Sequence, residues 1–298
     1  MRVAVTGRSG QVVTALLERG AARGIEVVAL GRPELDLSQP ETVARALQAS
    51  GADVIVSAAA YTAVDKAESE PELAFAINAV GAGAVAYAAA ELGVPVVHLS
   101  TDYVFDGNKS GAYLETDPTG PVGVYGASKL AGEQAVAAAT PNHAILRTAW
   151  VYSPFGGNFL KTMLRLAGER PQLRVVGDQR GTPTSALDIA DAVLTVAANL
   201  VERPDEASLR GVFHLVGSGE ASWAEFAREI FRQSAHLGGP SADVEAITTA
   251  EYPTPAKRPA NSLLSTDKLE ARHGVRLPAW QESTGVVLKR LLAGAGGA

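Results

Sequence analysis

Five short runs of mostly apolar, often β-branched residues recur through the first half of the chain: Arg2–Thr6, Ile25–Leu30, Asp53–Ser57, Val96–Ser100 and Ala144–Thr148. Helical patterning fills the intervals, over Val12–Arg19, Pro40–Ala49, Pro71–Leu92, a helix opening near Tyr125, and Asn158–Gly168. A strand that is apolar at nearly every position must be covered on both faces. Strands alternating with helices obtain that cover as a parallel sheet between two helix layers. The pattern predicts an α/β chain with a doubly wound parallel sheet. After Trp150 the rhythm loosens. Strands are expected at Leu173–Val176 and Val212–Val216, and helices at Ser185–Leu200, Trp223–Phe231, Thr266–His273 and Trp280–Leu292. The segment Gly238–Leu264 carries Pro240, Pro253, Pro255 and Pro259 and reads as loop or extended chain, and the tail Gly294–Ala298 as disordered.

The first strand runs into Gly7-Arg8-Ser9-Gly10-Gln11 and then a helix. Glycines at such a turn let the backbone approach a pyrophosphate, and the helix N-terminus presents free N–H groups to it. The expected sheet is therefore of Rossmann type. Residues 1–149, with about 182–217, are expected to bind a dinucleotide. A smaller, interleaved C-terminal lobe, about 150–181 and 218–298, is expected to bind the substrate. Val13 stands where a third glycine commonly allows close helix–strand packing, so a slightly displaced first helix is expected. The second strand ends in Gly31-Arg32, without an acid to bind a ribose 2′-hydroxyl. Arg32 can accept a 2′-phosphate, which favours NADPH and leaves NADH possible; an ordinary exposed turn arginine would look the same. Topology places Asp36 and Leu37 near the adenine, and Ala60, Tyr61 and Thr62 where the third strand meets the cofactor.

The strand Val96–Ser100 ends in Ser100, Thr101 and Asp102, and a loop of more than twenty residues follows before the helix bearing Tyr125 and Lys129. Loops that long inside a compact domain are usually functional. The i, i+4 spacing puts phenol and ammonium on one helix face. An ammonium close to a phenol favours the phenolate and brings its pKa toward neutrality, and the Thr101 hydroxyl could hold a carbonyl oxygen in reach of both. Such a trio protonates an oxygen that gains charge as hydride reaches a ketone. The Tyr-x-x-x-Lys spacing alone is also that of a surface contact; its place after a polar-tipped buried strand gives it meaning.

Composition narrows the rest. Of 298 residues, 47% are hydrophobic and 19% charged, with a net charge of −6, which argues against a general nucleic-acid binder. There is no cysteine, so thiol nucleophiles, disulfides and zinc–thiolate sites are excluded. The five histidines, His98, His143, His214, His236 and His273, show no ligand spacing. The Ala-rich stretch Val80–Ala90 is too short to cross a bilayer, and the chain opens directly into a strand. A soluble cytoplasmic protein without a membrane partner is expected. Arg180, Lys257 and Arg258 are the cations within reach of a diphosphate, or else solvated surface charges.

Read together, these phrases resemble the dTDP-4-dehydrorhamnose reductases, extended members of the short-chain dehydrogenase/reductase superfamily. The resemblance rests on GRSGQVV at the start, SAAAYTAVDKAESEPELAFAINA from Ser57, STDYVFDG from Ser100 and ETDPTGPVGVYGASKLAGEQAV from Glu115. It continues through RTAWVY from Arg147, DQRGTPT from Asp178, FHLVGSG from Phe213 and RPANSLLSTDKL from Arg258. It implies reduction of the C4 ketone of dTDP-4-dehydro-β-L-rhamnose, the last step in making dTDP-L-rhamnose, a precursor of cell-surface polysaccharide. Tyr125 would donate the proton, Lys129 would lower the tyrosine pKa and bind the nicotinamide ribose, and Thr101 would bond the reacting oxygen. Thr101, Asp102 and Trp150 match substrate positions of the family, with Trp150 flanking the sugar. Gly10, Gln11 and Val12 match its pyrophosphate turn.

Two departures stand out. Val13 replaces the family's usual glycine. Some members also hold magnesium between glutamates at a dimer interface, and the aligned positions here read Ala15, Leu187 and Arg290, none of which supplies an oxygen ligand. No metal is therefore expected, and the chain is expected to be a monomer or a metal-independent dimer. Two alternatives share much of the pattern. One is another nucleotide-sugar epimerase, dehydratase or reductase, since Asp102 stands where a dehydratase carries an acid. The other is a non-catalytic NADP-binding regulatory subunit like the β-subunit of methionine adenosyltransferase.

Overall fold

In the computed structural model, which describes residues 1–293, six parallel strands form the central sheet. They are β1 (Arg2–Thr6), β2 (Glu26–Leu30), β3 (Val54–Ser57), β4 (Val96–Thr101), β5 (His143–Thr148) and β6 (Gly211–His214), in the order β6-β5-β4-β3-β1-β2. The expectation for Gly294–Ala298 lies outside the described residues. As their apolar composition requires, β3, β4 and β5 are buried at every position. Strand order reverses between β1 and β3, and ligands of such sheets bind in the crevice outside the carboxyl ends at that point. Gly7, Gly31, Ala58 and Asp102 are the first residues past the ends of β1, β2, β3 and β4, so the marked loops all open on this one edge.

Apart from short turns such as Val64–Ala67, the helices of the described residues are α1 (Gln11–Ala22), α2 (Val43–Ser50), α3 (Pro71–Leu92), α4 (Val124–Ala139), α5 (Phe159–Ala167), α6 (Ala186–Glu202), α7 (Trp223–His236), α8 (Asp267–His273) and α9 (Trp280–Ala293). Alternation along the strands assigns them to layers. Val3, Val5, Val54, Val56, Val97 and Leu99 face α1 and α6, while Ala4, Ile55, Val96 and Ile145 face α2, α3 and α4. The second lobe is built on α5, α7 and α9 with a two-stranded parallel sheet of Gln172–Val176 and Asp243–Ile247. The strand Asp243–Ile247 is the extended part of the 238–264 segment, expected as loop or extended chain, and it pairs with Gln172–Val176. Asp243 and Glu245 are exposed, Ile247 alone is buried, and the neighbouring prolines hide so weak an alternation.

α3 departs from its simple reading in two ways. At 22 residues and a mean hydropathy of 1.7, it is long and apolar enough to cross a membrane by length and composition, unlike the shorter stretch considered above. Here it lies along the sheet instead, burying Ala82, Val85, Ala86 and Ala89 against α2 and α4. It also contains a π-helical turn at Ala76–Gly81, a feature frequent at functional sites. Asn78 in that turn points inward. Its amide accepts the Tyr61 N–H at 2.8 Å and donates to the Tyr61 carbonyl at 3.1 Å and to the Ser128 hydroxyl at 2.9 Å. One side chain thereby joins the segment after β3 to α4.

α4 rides close on that turn. A Cβ at Gly132 would lie 2.1 Å from the Asn78 carbonyl oxygen. Helix propensity alone favours alanine over glycine by about 1 kcal/mol. The clash opposes that gain, and overpacking of this kind costs about 1–3 kcal/mol. Gly132→Ala is therefore expected to lower the melting temperature rather than raise it, and a thermal denaturation curve distinguishes the two signs.

Candidate active site

The carboxyl end of β4 and the first turns of α4 meet in the crevice. Thr101 and Asp102 are buried there, beside the ring of Tyr125. Lys129, also buried, donates to the Leu99 carbonyl at 2.7 Å and approaches His98 Nε2 at 3.5 Å. Burial brings the Lys129 ammonium down to about 8, with the Glu133 carboxylate opposing the shift. The same burial holds His98 neutral, well below its ordinary range, with Nδ1 at 3.1 Å from the Ser57 hydroxyl. Burial and the Asp102 charge push Tyr125 up to about 12, the Thr101 hydroxyl partly offsetting them. The Lys129 ammonium is turned to the Leu99 carbonyl, and burial is the largest influence on the phenol. The Thr101 hydroxyl donates to Asp102 Oδ1 at 2.9 Å and accepts the Tyr103 N–H at 3.2 Å.

Residues that sequence reading passed over hold this cluster in place. Glu133, two turns beyond Tyr125 on the same face of α4, receives Arg147 from β5 through two bonds of 2.9 and 2.7 Å. It also accepts the Ser100 hydroxyl at 2.5 Å. An arginine inside an otherwise apolar strand was the available signal for Arg147. Glu68 accepts the Val124 N–H at 2.8 Å at the start of α4. Asn78 had no local signal, since only the π turn brings it inward.

At the other side of the crevice, Gly7 has φ +104°, open to glycine alone, and a Cβ there would lie 3.2 Å from Val13 Cγ2. Val13 thus fills the space above the turn. Gly10 has open space in front of it, and the N-terminus of α1 at Gln11 and Val12 carries no side-chain cap. These features fit a dinucleotide pyrophosphate. Gln11 also accepts the Ser153 hydroxyl at 2.8 Å and the Asn158 amide at 3.0 Å, which ties the turn to the second lobe. Arg32 is exposed past β2. Arg8, which the sequence reading did not single out, lies against Gly31 and pairs with Glu34. Asp36 and Leu37 have local tasks: Asp36 accepts the N–H and hydroxyl of Ser38, and Leu37 is 5% exposed in the core against Gly81. Ala60, Tyr61 and Thr62 follow β3 at the crevice edge, but the Tyr61 hydroxyl is turned to Glu70 at 2.7 Å.

Trp150 has φ +48°, a strained conformation for a large side chain and one that clusters at functional sites. Trp223 stacks on its indole at 3.6 Å between centroids, and a Cβ at Gly181 would fall 2.5 Å from the same ring system. The indole stays half-buried between these neighbours. Trp223 was not foreseen. Of the three cations, Arg180 is paired with Glu220 at 2.6 Å, and Lys257 is exposed. Arg258 Nη2 donates to Asp65 at 2.8 Å, while its Nη1 is buried without a protein partner. Ala15 and Leu187 are core residues, and Arg290 pairs with Glu18 and covers the Phe155 ring. These three positions do not fit a divalent cation.

The depressed Lys129 pKa carries a stability consequence. Between about 8 and the unfolded value near 10.4, the unfolded chain binds the extra proton, so stability rises with pH through that window. Lys129→Met is expected to stabilise the protein by up to about 3 kcal/mol at pH 7. The gain should shrink toward zero by pH 10, as read by urea unfolding at the two pH values.

A family model described as RmlD substrate binding domain matches residues 1–293. The dTDP-4-dehydrorhamnose reductase of Sinorhizobium fredii is 58% identical over 284 residues, 95% of each chain. The crystal structure of a dTDP-4-dehydrorhamnose reductase from Clostridium acetobutylicum is 38% identical, with a TM-score of 0.89 over 98% of this chain and 100% of that one. That of the Bacillus anthracis enzyme in complex with NADP is 35% identical, with a TM-score of 0.87 over 98% and 99%. With the whole described chain matched and relatives this similar along nearly their full length, the chain belongs to the dTDP-4-dehydrorhamnose reductase family.

Proposed function

We propose that the protein reduces the C4 ketone of dTDP-4-dehydro-β-L-rhamnose to dTDP-L-rhamnose, with NADPH as the preferred cofactor. The observation that carries this reading is that the buried Thr101 and Lys129 and the half-buried Tyr125, which lies beside Thr101, gather at the carboxyl edge of the sheet, where the glycine turn also opens. When bound, NADPH supplies the hydride. Residues Gly7, Gly10, Gln11 and Val12 hold its pyrophosphate through backbone N–H groups, and Arg32 meets the 2′-phosphate. Residues 1–149 with 182–217 carry the dinucleotide, and 150–181 with 218–298 carry the sugar nucleotide.

As charge develops on the ketone oxygen, Tyr125 gives it the phenol proton. A phenol held near 12 is fully protonated at neutral pH, and an alkoxide is a far stronger base than a phenolate, so the transfer runs downhill. Lys129 stands one helical turn away on the same face, where its ammonium stabilises the phenolate once the proton has left and binds the nicotinamide ribose. Arg258 suits the diphosphate: Asp65 fixes one end of the guanidinium and leaves Nη1 unsatisfied by the protein. Arg180, held by Glu220, is the weaker claimant. We further propose a monomer or a dimer that needs no metal, since Ala15, Leu187 and Arg290 offer no carboxylate.

The direct test is NADPH oxidation with dTDP-4-dehydro-β-L-rhamnose, followed by identification of the product. Tyr125→Phe should cut turnover by about 10²–10⁴-fold while NADPH binding is retained; wild-type turnover in that variant would remove Tyr125 as the acid. Chelation with EDTA should change neither the rate nor the sedimentation coefficient, and a loss of either would restore a metal to the scheme.

A further inference from the structure

The Thr101 hydroxyl has one hydrogen, and its oxygen lies 2.9 Å from Asp102 Oδ1, to which it donates as long as Asp102 is a carboxylate. Its oxygen already accepts the Tyr103 N–H. While Asp102 is a carboxylate it is acceptor only, and the threonine hydrogen cannot turn to a ketone. If the carboxyl carries a proton, the same contact runs in the opposite sense. Asp102 then donates, Thr101 accepts from two sides, and the hydroxyl hydrogen is free for the oxygen beside Tyr125.

The surroundings favour the neutral acid. Asp102 is 3% exposed, and its Oδ2 has no hydrogen-bond partner. Tyr103 from the turn after β4, Tyr125 from α4 and Ser262 from the RPANS segment face it, and no cation does. Arg258, which reaches Tyr103, is paired with Asp65, and Lys129 is turned to Leu99. Burial pushes the carboxyl up to about 6, against the hydroxyls of Ser262 and Thr101 and the backbone N–H groups of Asp102 and Tyr103. An ionised Asp102 would also hold the Tyr125 proton more tightly, against the transfer it has to make.

We propose that Asp102 is a positioning residue that acts as a neutral carboxylic acid, donating to Thr101 Oγ1 and so turning the Thr101 hydrogen toward the oxygen that Tyr125 protonates. The proposal rests on the reductase reading. The experiment measures kcat/KM for the dTDP-4-ketosugar between pH 5.5 and 8.5 in the wild type, Asp102→Asn, Thr101→Val and the double variant, with NADPH affinity alongside. In the wild type kcat/KM should fall above the carboxyl range, by up to about tenfold per pH unit. An asparagine amide donates to Thr101 at every pH. Asp102→Asn should therefore raise the ratio of kcat/KM at pH 8 to that at pH 6 by at least about tenfold, and the Thr101→Val background should abolish this change. An unaltered ratio would overturn the proposal, as would loss of turnover by more than about a hundredfold at pH 6 with NADPH still bound. If the variant does not fold, carboxyl ¹³C NMR of the wild-type holoenzyme decides: a neutral Asp102 at pH 5.5 supports the proposal, and an ionised one overturns it. Failure of the wild type to turn over the ketosugar would instead count against the reductase reading.

Discussion

The site depends first on the buried ion pair between Glu133 and Arg147. Both side chains are 5% exposed, and the guanidinium meets the carboxylate through two bonds while Ser100 adds a third. Withdrawing two charges from water costs several kcal/mol per ion, and well-packed apolar residues would often hold the helix as firmly. What apolar residues would not do is fix which way α4 turns. The pair joins α4 to the last residues of β4 and β5, one and two turns beyond Lys129 and Tyr125. A rotation of α4 that carried the phenol out of the crevice would strand a buried arginine. The interaction therefore supplies register rather than net stability.

Asn78 does the same from the other flank. Its π turn interrupts a helix whose composition would otherwise run straight, and the inward amide pins both the chain after β3 and the second turn of α4. Gly132 lets the two helices come close enough for this. The orientation of Tyr125 and Lys129 is thus fixed from β5, from α3 and from the Glu68 contact at the start of α4. Catalytic geometry tolerates little slack, and supporting contacts of this kind provide it.

Most of the fold was legible because the sheet is parallel and buried. Near-continuous apolar runs located β1 to β5, and the glycine turn fixed the edge at which the loops open. The trio of Thr101, Tyr125 and Lys129 was legible from spacing and position. What escaped has a common cause: contacts between segments far apart in sequence. Asn78 needs a π turn, Trp223 meets Trp150 only after the second lobe folds back, and Asp243–Ile247 finds its partner in Gln172–Val176. Topology put Asp36 and Leu37 near the cofactor, and their side chains bond Ser38 and pack in the core against Gly81.

The distribution of buried polar groups gives these features one physical logic. In the amino-terminal halves of the strands, Val3, Val54, Ile55 and Val96 are buried and apolar. Toward the carboxyl ends come Thr6, Ser57, Ser100, Thr101, Arg147 and Thr148, all buried as well. A polar group withdrawn from water is costly unless it is bonded, and a charge more so. One end of the sheet therefore supplies hydrophobic stability to the other, where burial lowers the Lys129 pKa to about 8 and raises that of Asp102 to about 6. Perturbed groups gathered at one edge mark that edge as the working face. The strain at Trp150, just past β5, falls on the same edge, where packing from Trp223 and the lack of a side chain at Gly181 keep the indole in a conformation it would otherwise leave.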